Sequence, residues 1–145
     1  MVKVLFDTSV LVAAFVRVHP KHISCTEWWQ KVTTGEIKGI ISNHTLAELY
    51  SVITSLPIQH RFSPTLAQQV ITGSFKGFEA ISLTTKEYRS VIRQVGKLNL
   101  TGAAIYDALI AKVFIKSNSD YLLTNNPDNF TRISEEIAQK IKIPQ

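Results

Sequence analysis

Short apolar runs alternate along this chain with longer segments whose apolar residues recur at helical spacing, and this alternation predicts an α/β fold. The first run, Val4-Leu5-Phe6, is apolar throughout and contains β-branched and aromatic residues, which is typical of a buried parallel strand. Three later runs are predicted to be strands: Ile37–Ile41, Glu79–Leu83 and Tyr121–Thr124.

The segments between these strands have the features of helices. Pro57 stops one of them, and Thr84 forms a capping box with Glu87 at the start of another. The predicted helices are Thr8–Val16, Ile23–Val32, His44–Leu56, Pro64–Phe75, Thr85–Lys97 and Ala103–Ile115. We therefore predict one domain over residues 1–145, with a mostly parallel sheet and helices on both of its faces. The pattern does not define the structure of the C-terminal isoleucines at positions 133, 137, 141 and 143.

Two aspartates interrupt the most apolar segments of the chain. Asp7 lies where the first strand meets the first helix, and burying it is costly unless it is hydrogen-bonded, paired or bound to a metal. The alternative is that Asp7 only caps the helix. Asp107 lies in a helix that is apolar on nearly every side and is therefore central. Its alternative is a pair with Lys112 or another base.

Two more polar positions lie near the same edge of the predicted sheet. Glu48 follows the second strand, although taken alone it is an ordinary solvated glutamate. The core stripe of its helix is predicted to be Leu46, Leu49, Tyr50 and Ile53. The polar segment Asn125–Asn129 leaves the fourth strand, and on composition alone it is a turn. Ligands of parallel sheets gather beyond the carboxyl ends of the strands, so these groups can meet in one pocket.

The charge balance indicates what such a pocket could do. Sixteen Lys and Arg residues against 11 Asp and Glu residues give a net charge of +5, which favours a polyanion such as nucleic acid as partner. Converging carboxylates repel each other unless a divalent cation neutralises them, and all-oxygen ligands favour Mg²⁺ or Mn²⁺ over zinc. Such a site activates water and stabilises charge on a phosphate. The combination points to phosphodiester hydrolysis.

The cysteine count and the hydropathy restrict the kinds of site that the chain can form and the compartment that suits it. Cys25 is the only cysteine, which excludes a disulfide framework and a cysteine zinc site within one chain and fits a reducing cytoplasm. No segment approaches the roughly 20 apolar residues that a membrane helix needs, so no membrane partner is expected.

Four motifs occur in a specific order over about residues 2–130: a strand into Asp-Thr-Ser, a Leu-Ala-Glu-Leu helix, a Tyr-Asp-Ala-Leu-Ile-Ala helix, and a strand into Thr-x-Asn-x-x-x-Phe. Together they resemble the PIN-domain family, and most closely its bacterial VapC-type toxin ribonucleases. The resemblance implies a PIN-like three-layer fold, a Mg²⁺- or Mn²⁺-dependent endoribonuclease, a homodimer and a cognate antitoxin. The family's acidic positions correspond to Asp7, Glu48 and Asp107, which would be catalytic and hold the metal. Asn126 stands where many relatives have aspartate, and Asp128 is the alternative at this fourth position.

Four residues are candidates for binding the RNA. The hydroxyls of Thr8 and Ser9 could hold water or phosphate near the metal, although Ser9 could equally only cap the helix. Arg89 and Arg93 are one turn apart on a basic stripe suited to phosphate contacts, and the alternative is a solvated face.

Two other functions and one mode of assembly stay open on the sequence. The departure at Asn126 allows a catalytically weak PIN-like module that binds RNA or protein. The same acidic pocket could also hydrolyse small phosphate compounds. We further expect self-association, because four large aromatic residues are placed on peripheral helices or loops: Trp28, Trp29, Phe62 and Phe75.

Overall fold

The sheet of this protein is five-stranded, and every strand pairing in it is parallel. The computed structural model describes the whole chain, from Met1 to Gln145. The strands are β1 (Lys3–Phe6), β2 (Lys38–Ser42), β3 (Phe78–Ile81), β4 (Tyr121–Leu123) and β5 (Ile141–Lys142). They lie in the order β3-β2-β1-β4-β5, so that β1 is central and all carboxyl ends share one edge.

Helices cover both faces of this sheet, which confirms the predicted three-layer α/β fold. Six are long: α1 (Thr8–Phe15), α2 (His22–Thr33), α3 (Asn43–Thr54), α4 (Pro64–Gly73), α5 (Thr85–Lys97) and α6 (Ala104–Lys116). The alternation of β1 side chains separates two cores. Val4 and Phe6 pack with α1 to α4, whereas Leu5 packs with α5 and α6. No helix has the length and apolar content that crossing a bilayer requires.

The C-terminal segment forms three short elements that the sequence pattern did not define. They are α7 (Asp128–Thr131), α8 (Glu135–Ala138) and β5. The supposed turn at Asn125–Asn129 therefore runs into a helix. Each element is too short to show a periodicity, yet Phe130, Ile133 and Ile137 are buried in the same core as α6. Burial of these few side chains fixes the segment, where local propensity does not.

One expectation about apolar side chains is wrong. Tyr50 is exposed and does not belong to the buried face of α3, which Thr45, Leu49 and Ile53 form instead. The four aromatic residues on which self-association was expected are partly buried and pack against the core of α1 to α4: Trp28, Trp29, Phe62 and Phe75. Trp29 and Phe75 meet edge to face at 5.5 Å between ring centroids, so part of their area is buried within the chain, and self-association stays a prediction.

Candidate active site

A cavity of about 430 Å³ opens beyond the carboxyl ends of β1 and β4. Its walls come from Asp7 after β1, from α1, α3, α6 and α7, and from the loops that follow α1 and β4. Six of the residues singled out from the sequence line it: Asp7, Thr8, Ser9, Glu48, Asp107 and Asn126. Val12, His19, Val52, Asn125 and Asn129 complete the wall. Polar oxygen atoms from distant parts of the chain thus share one concave site.

Asp7 is the most deeply buried charged group of the cavity, with 5% of its surface exposed. It occupies the N-cap position of α1, but its side chain makes no capping hydrogen bond, which argues against the capping alternative. Its Oδ2 instead accepts hydrogen bonds from the hydroxyls of Ser9 and Thr124, each at 2.8 Å. Burial raises the pKa of Asp7, and these two hydrogen bonds oppose the rise only in part.

Glu48 is held toward the cavity by a hydroxyl group of α1. The Thr8 Oγ1 donates a hydrogen bond to Glu48 Oε1 and lies 3.1 Å from the hydroxyl of Thr45. Thr8 is itself 6% exposed, so the pair is anchored in the protein interior. Thr8 directly follows Asp7, and this places the two carboxylate-bearing elements, the end of β1 and α3, side by side.

Asp107 faces the same cavity from the first turn of α6. Burial raises its pKa to about 6, and the neighbouring Asp7 and Glu48 carboxylates add to the rise, while Arg132 opposes it. The base near Asp107 is therefore Arg132, at 3.6 Å, and not Lys112. Because the guanidinium is 43% exposed, this ion pair is weak and does not cancel the cost of the carboxylate charge.

The segment after β4 is connected to Asp7 through the hydroxyl groups of Thr124 and Ser9. Thr124, which donates to Asp7, also accepts a hydrogen bond from the N–H of Asn126 at 3.0 Å. The N–H of Asn125 donates to the Ser9 hydroxyl at 3.2 Å. Asn126 thereby lines the cavity, whereas Asp128 is exposed in α7 and does not.

Arg89 and Arg93 are placed away from the cavity. Both are exposed on α5, and neither contributes to the cavity wall. The structure therefore brings together the three acidic residues, two hydroxyl groups and Asn126, but not the two arginines or Asp128.

Comparison with known proteins assigns this architecture to a family. The sequence model of the PIN domain matches residues 4–136. The chain belongs to the PIN-domain family. Ribonuclease VapC27 of Mycobacterium tuberculosis is 35% identical over 105 residues, which are 72% of this chain and 72% of that protein. The family resemblance and the ribonuclease class expected from the sequence are thereby confirmed.

Two solved structures share the fold of this PIN domain at low sequence identity. The VapBC2 structure from Rickettsia felis, bound to a promoter DNA fragment, superposes with a TM-score of 0.68 at 21% identity over 99% of both chains. VapC20 of Mycobacterium tuberculosis, a toxin that cleaves the sarcin-ricin loop, gives 0.64 at 14% identity, over 82% of this chain and 86% of that one.

Two polar residues near the site, His19 and Arg132, were not found from the sequence of this PIN domain. The sequence placed Thr124 and Asn129 in the segment at the site, but it did not show that Thr124 donates to Asp7 or that Asn129 lines the cavity. His19 lies in the loop after α1, and its Nδ1 accepts a hydrogen bond from the Lys21 N–H at 3.0 Å. Arg132 follows α7 and reaches Asp107 only because the C-terminal segment folds back onto α6. No spacing in the sequence links His19 or Arg132 to an acidic residue.

The donor atoms of the cavity fit a hard divalent cation, on which nucleases of this family generally depend. No three His, Cys, Asp or Glu side chains form a group that could hold a metal by themselves in this conformation. Mg²⁺, however, keeps several waters and usually binds proteins through only one or two carboxylates. The raised pKa values of Asp7 and Asp107 indicate carboxylates without a sufficient counter-charge, which a cation would supply.

Proposed function

We propose that this protein is the toxin of a toxin–antitoxin pair, an endoribonuclease that uses Mg²⁺ or Mn²⁺ to hydrolyse RNA phosphodiester bonds. The observation that carries the proposal is the grouping of Asp7, Glu48 and Asp107 in one cavity at the carboxyl edge of the sheet. Carboxylates that share one cavity repel each other, and a bound cation would remove this repulsion. The net charge of +5 of the whole protein in turn favours a polyanionic substrate such as RNA.

Each polar group of the cavity has a distinct task in this proposal. Asp7, Glu48 and Asp107 would hold the metal together with bound waters, and the metal would supply activation of water and stabilisation of the negative charge on the phosphate oxygens. Ser9 and Thr124 orient the Asp7 carboxylate, and Thr8 orients Glu48. Asn126 supplies an uncharged amide at the fourth position, because Asp128 lies outside the cavity wall.

The substrate and the partners complete the proposal. The hydroxyl protons of Thr8 and Ser9 are donated to Glu48 and Asp7, so these two residues hold the carboxylates and do not donate to the scissile phosphate. Arg89 and Arg93 contact RNA phosphates farther away. The relatives that are toxins, such as VapC20, support an antitoxin as partner of this chain. On the same family resemblance we propose a homodimer as the assembly and a reducing cytoplasm as the location. Light scattering at micromolar concentration that finds only monomer would contradict the dimer.

Metal-dependent RNA cleavage tests the proposal directly. Purified protein is incubated with a pool of structured RNAs in Mg²⁺, Mn²⁺ or EDTA, beside Asp7→Asn and a matched Asp120→Asn control. Asp120 is exposed and lies outside the cavity, so its variant should cut as the wild type does. We expect cuts with metal only, and a loss of at least about 100-fold for Asp7→Asn.

Asn126 keeps one other function open, that of a catalytically weak module which binds RNA or protein. Its outcome differs from that of the nuclease. If RNA binds with similar affinity in Mg²⁺ and in EDTA and no cleavage products form, the protein is a binding module and not a nuclease.

A further inference from the structure

Two aromatic rings stack on each other between α3 and α6, the helices that carry Glu48 and Asp107. The imidazole of His44 and the phenol ring of Tyr106 lie 4.9 Å apart between centroids, with 6° between their planes. Neither ring has a role in the proposed chemistry, and neither lines the cavity itself.

The stack is placed by the same helices that present two of the acidic residues. His44 precedes Glu48 by four positions on α3, so the two side chains lie on one helix face, about 5–6 Å apart between Cβ atoms. Tyr106 directly precedes Asp107 in the first turn of α6. The rings therefore connect the start of α3 with the start of α6, on the two helices that present Glu48 and Asp107 to the cavity.

Exposure distinguishes this stack from the aromatic contacts of the core. Tyr106 leaves 45% of its surface in solvent although His44 covers one of its faces. The rings packed against the sheet, such as Phe6, are fully buried. A pair that served only to join two helices would gain more by burying its apolar area.

We propose that the stack of His44 and Tyr106 is a binding platform for an unpaired nucleobase of single-stranded RNA. The base extends the stack on the open side of Tyr106, and its phosphate lies toward the cavity. This inference rests on the proposed function, because it concerns how the same site takes its substrate. Flat aromatic faces bind unstacked bases of single strands, and double helices keep their bases stacked on each other. The platform thus selects loops and single strands over duplex RNA.

The first test separates substrate binding from chemistry in three variants. Tyr106→Leu should raise KM roughly tenfold with little change in kcat, which corresponds to removing the stacking of one base. Tyr106→Phe keeps the ring and should stay within about twofold of the wild type. Tyr50→Leu is the matched control, because Tyr50 is also exposed (40%) but belongs neither to the cavity wall nor to the stack. Equal KM values for all four proteins would overturn the platform.

The second test asks whether the contact is made to a base. An abasic nucleotide is moved along a short single-stranded RNA, and affinity is measured in the Asp7→Asn background, where no cleavage is needed. At one position we expect roughly a tenfold loss of affinity with Tyr106 present, and no further loss when Tyr106→Leu is added. A merely structural ring would weaken every RNA equally, and equal abasic effects with and without Tyr106 would exclude the platform.

The two proposals can fail separately. Absence of any metal-dependent cleavage by the wild type defeats the nuclease, while the abasic comparison still decides whether a base is bound. Cleavage that proceeds with an unchanged KM in Tyr106→Leu defeats the platform and leaves the nuclease in place.

Discussion

Hydroxyl groups, rather than basic residues, hold the deepest carboxylate of this site. Asp7 accepts hydrogen bonds from Ser9 and Thr124, yet its pKa is still raised by burial. A structural aspartate at this depth would be paired with a cation to offset its desolvation. The two hydrogen bonds thus orient the Asp7 carboxylate without neutralising its charge, and a bound metal ion would neutralise it.

Asp107→Asn separates a metal site from a structural carboxylate. Because burial and the repulsion from Asp7 outweigh the attraction of Arg132, removing the charge should leave the metal-free protein as stable at pH 7 or more stable. The gain is on the order of 1 kcal/mol, less than the full shift implies, since 22% of the Asp107 side chain is in contact with solvent, which screens the repulsion. The same variant should lose the stabilisation that Mg²⁺ or Mn²⁺ gives the wild type. Thermal melts with and without metal measure both effects.

The pH dependence of these melts tests independently whether the charge on Asp107 destabilises the metal-free protein. The pKa of Asp107 is raised from 3.8 to about 6, so between these values the folded state binds more protons than the unfolded state. The free energy of unfolding of the metal-free protein should therefore fall as pH rises through this window, and fall less in Asp107→Asn. Asp120→Asn is the control. A large, metal-independent drop in melting temperature for Asp107→Asn would show that the carboxylate is structural.

At the scale of elements, the strands and long helices could be predicted because each has its own periodicity or cap. The capping box of α5 is an example, since Thr84 and Glu87 exchange both expected hydrogen bonds. The segment after β4 could not be predicted, because α7, α8 and β5 have two to four residues each. Their position depends on packing against α6. Because β4 separates them from α6 in the chain, no local sequence pattern shows this contact. For the same reason Arg132 could not be connected with Asp107.

Ile137 tests whether tertiary burial fixes this segment. Ile137 is 2% exposed in α8 and packs in the core that contains α6. Ile137→Ala should lower the free energy of unfolding by about 2–5 kcal/mol, because it removes buried methyl groups and leaves a cavity. Ile143→Ala, at a side chain that is 40% exposed, should change it by less than about 0.5 kcal/mol. Urea denaturation measures both, and equal small effects would mean that the C-terminal segment is not part of the cooperative core.

At the scale of the whole molecule, the excess of positive charge lies apart from the three carboxylates of the cavity. The net charge is +5, although the cavity is lined by three carboxylates and by no lysine or arginine. The basic residues that outnumber the acids are therefore elsewhere on the surface, where they can attract RNA without occupying the metal position. The sequence shows the excess of positive charge, but not which helix presents it, because that depends on how α5 packs on the sheet.

The predicted contacts of Arg89 and Arg93 with RNA phosphates can be measured as a salt dependence. Both side chains are exposed on α5, one turn apart. If each binds a phosphate of single-stranded RNA, the double variant Arg89→Gln, Arg93→Gln should bind more weakly at low salt. The slope of log affinity against log salt should also become shallower by about 0.7 for each phosphate that is no longer neutralised.

A matched double variant separates direct contact from net charge in this measurement. Lys76→Gln with Lys140→Gln removes the same two charges at exposed positions outside the cavity wall. General attraction by a basic protein would weaken affinity equally in both double variants. Phosphate contacts by α5 would lower the slope only when Arg89 and Arg93 are changed, because counterions are released only where a phosphate is neutralised. Equal slopes in the two variants would therefore mean that Arg89 and Arg93 lie on an ordinary solvated helix face and bind no phosphate.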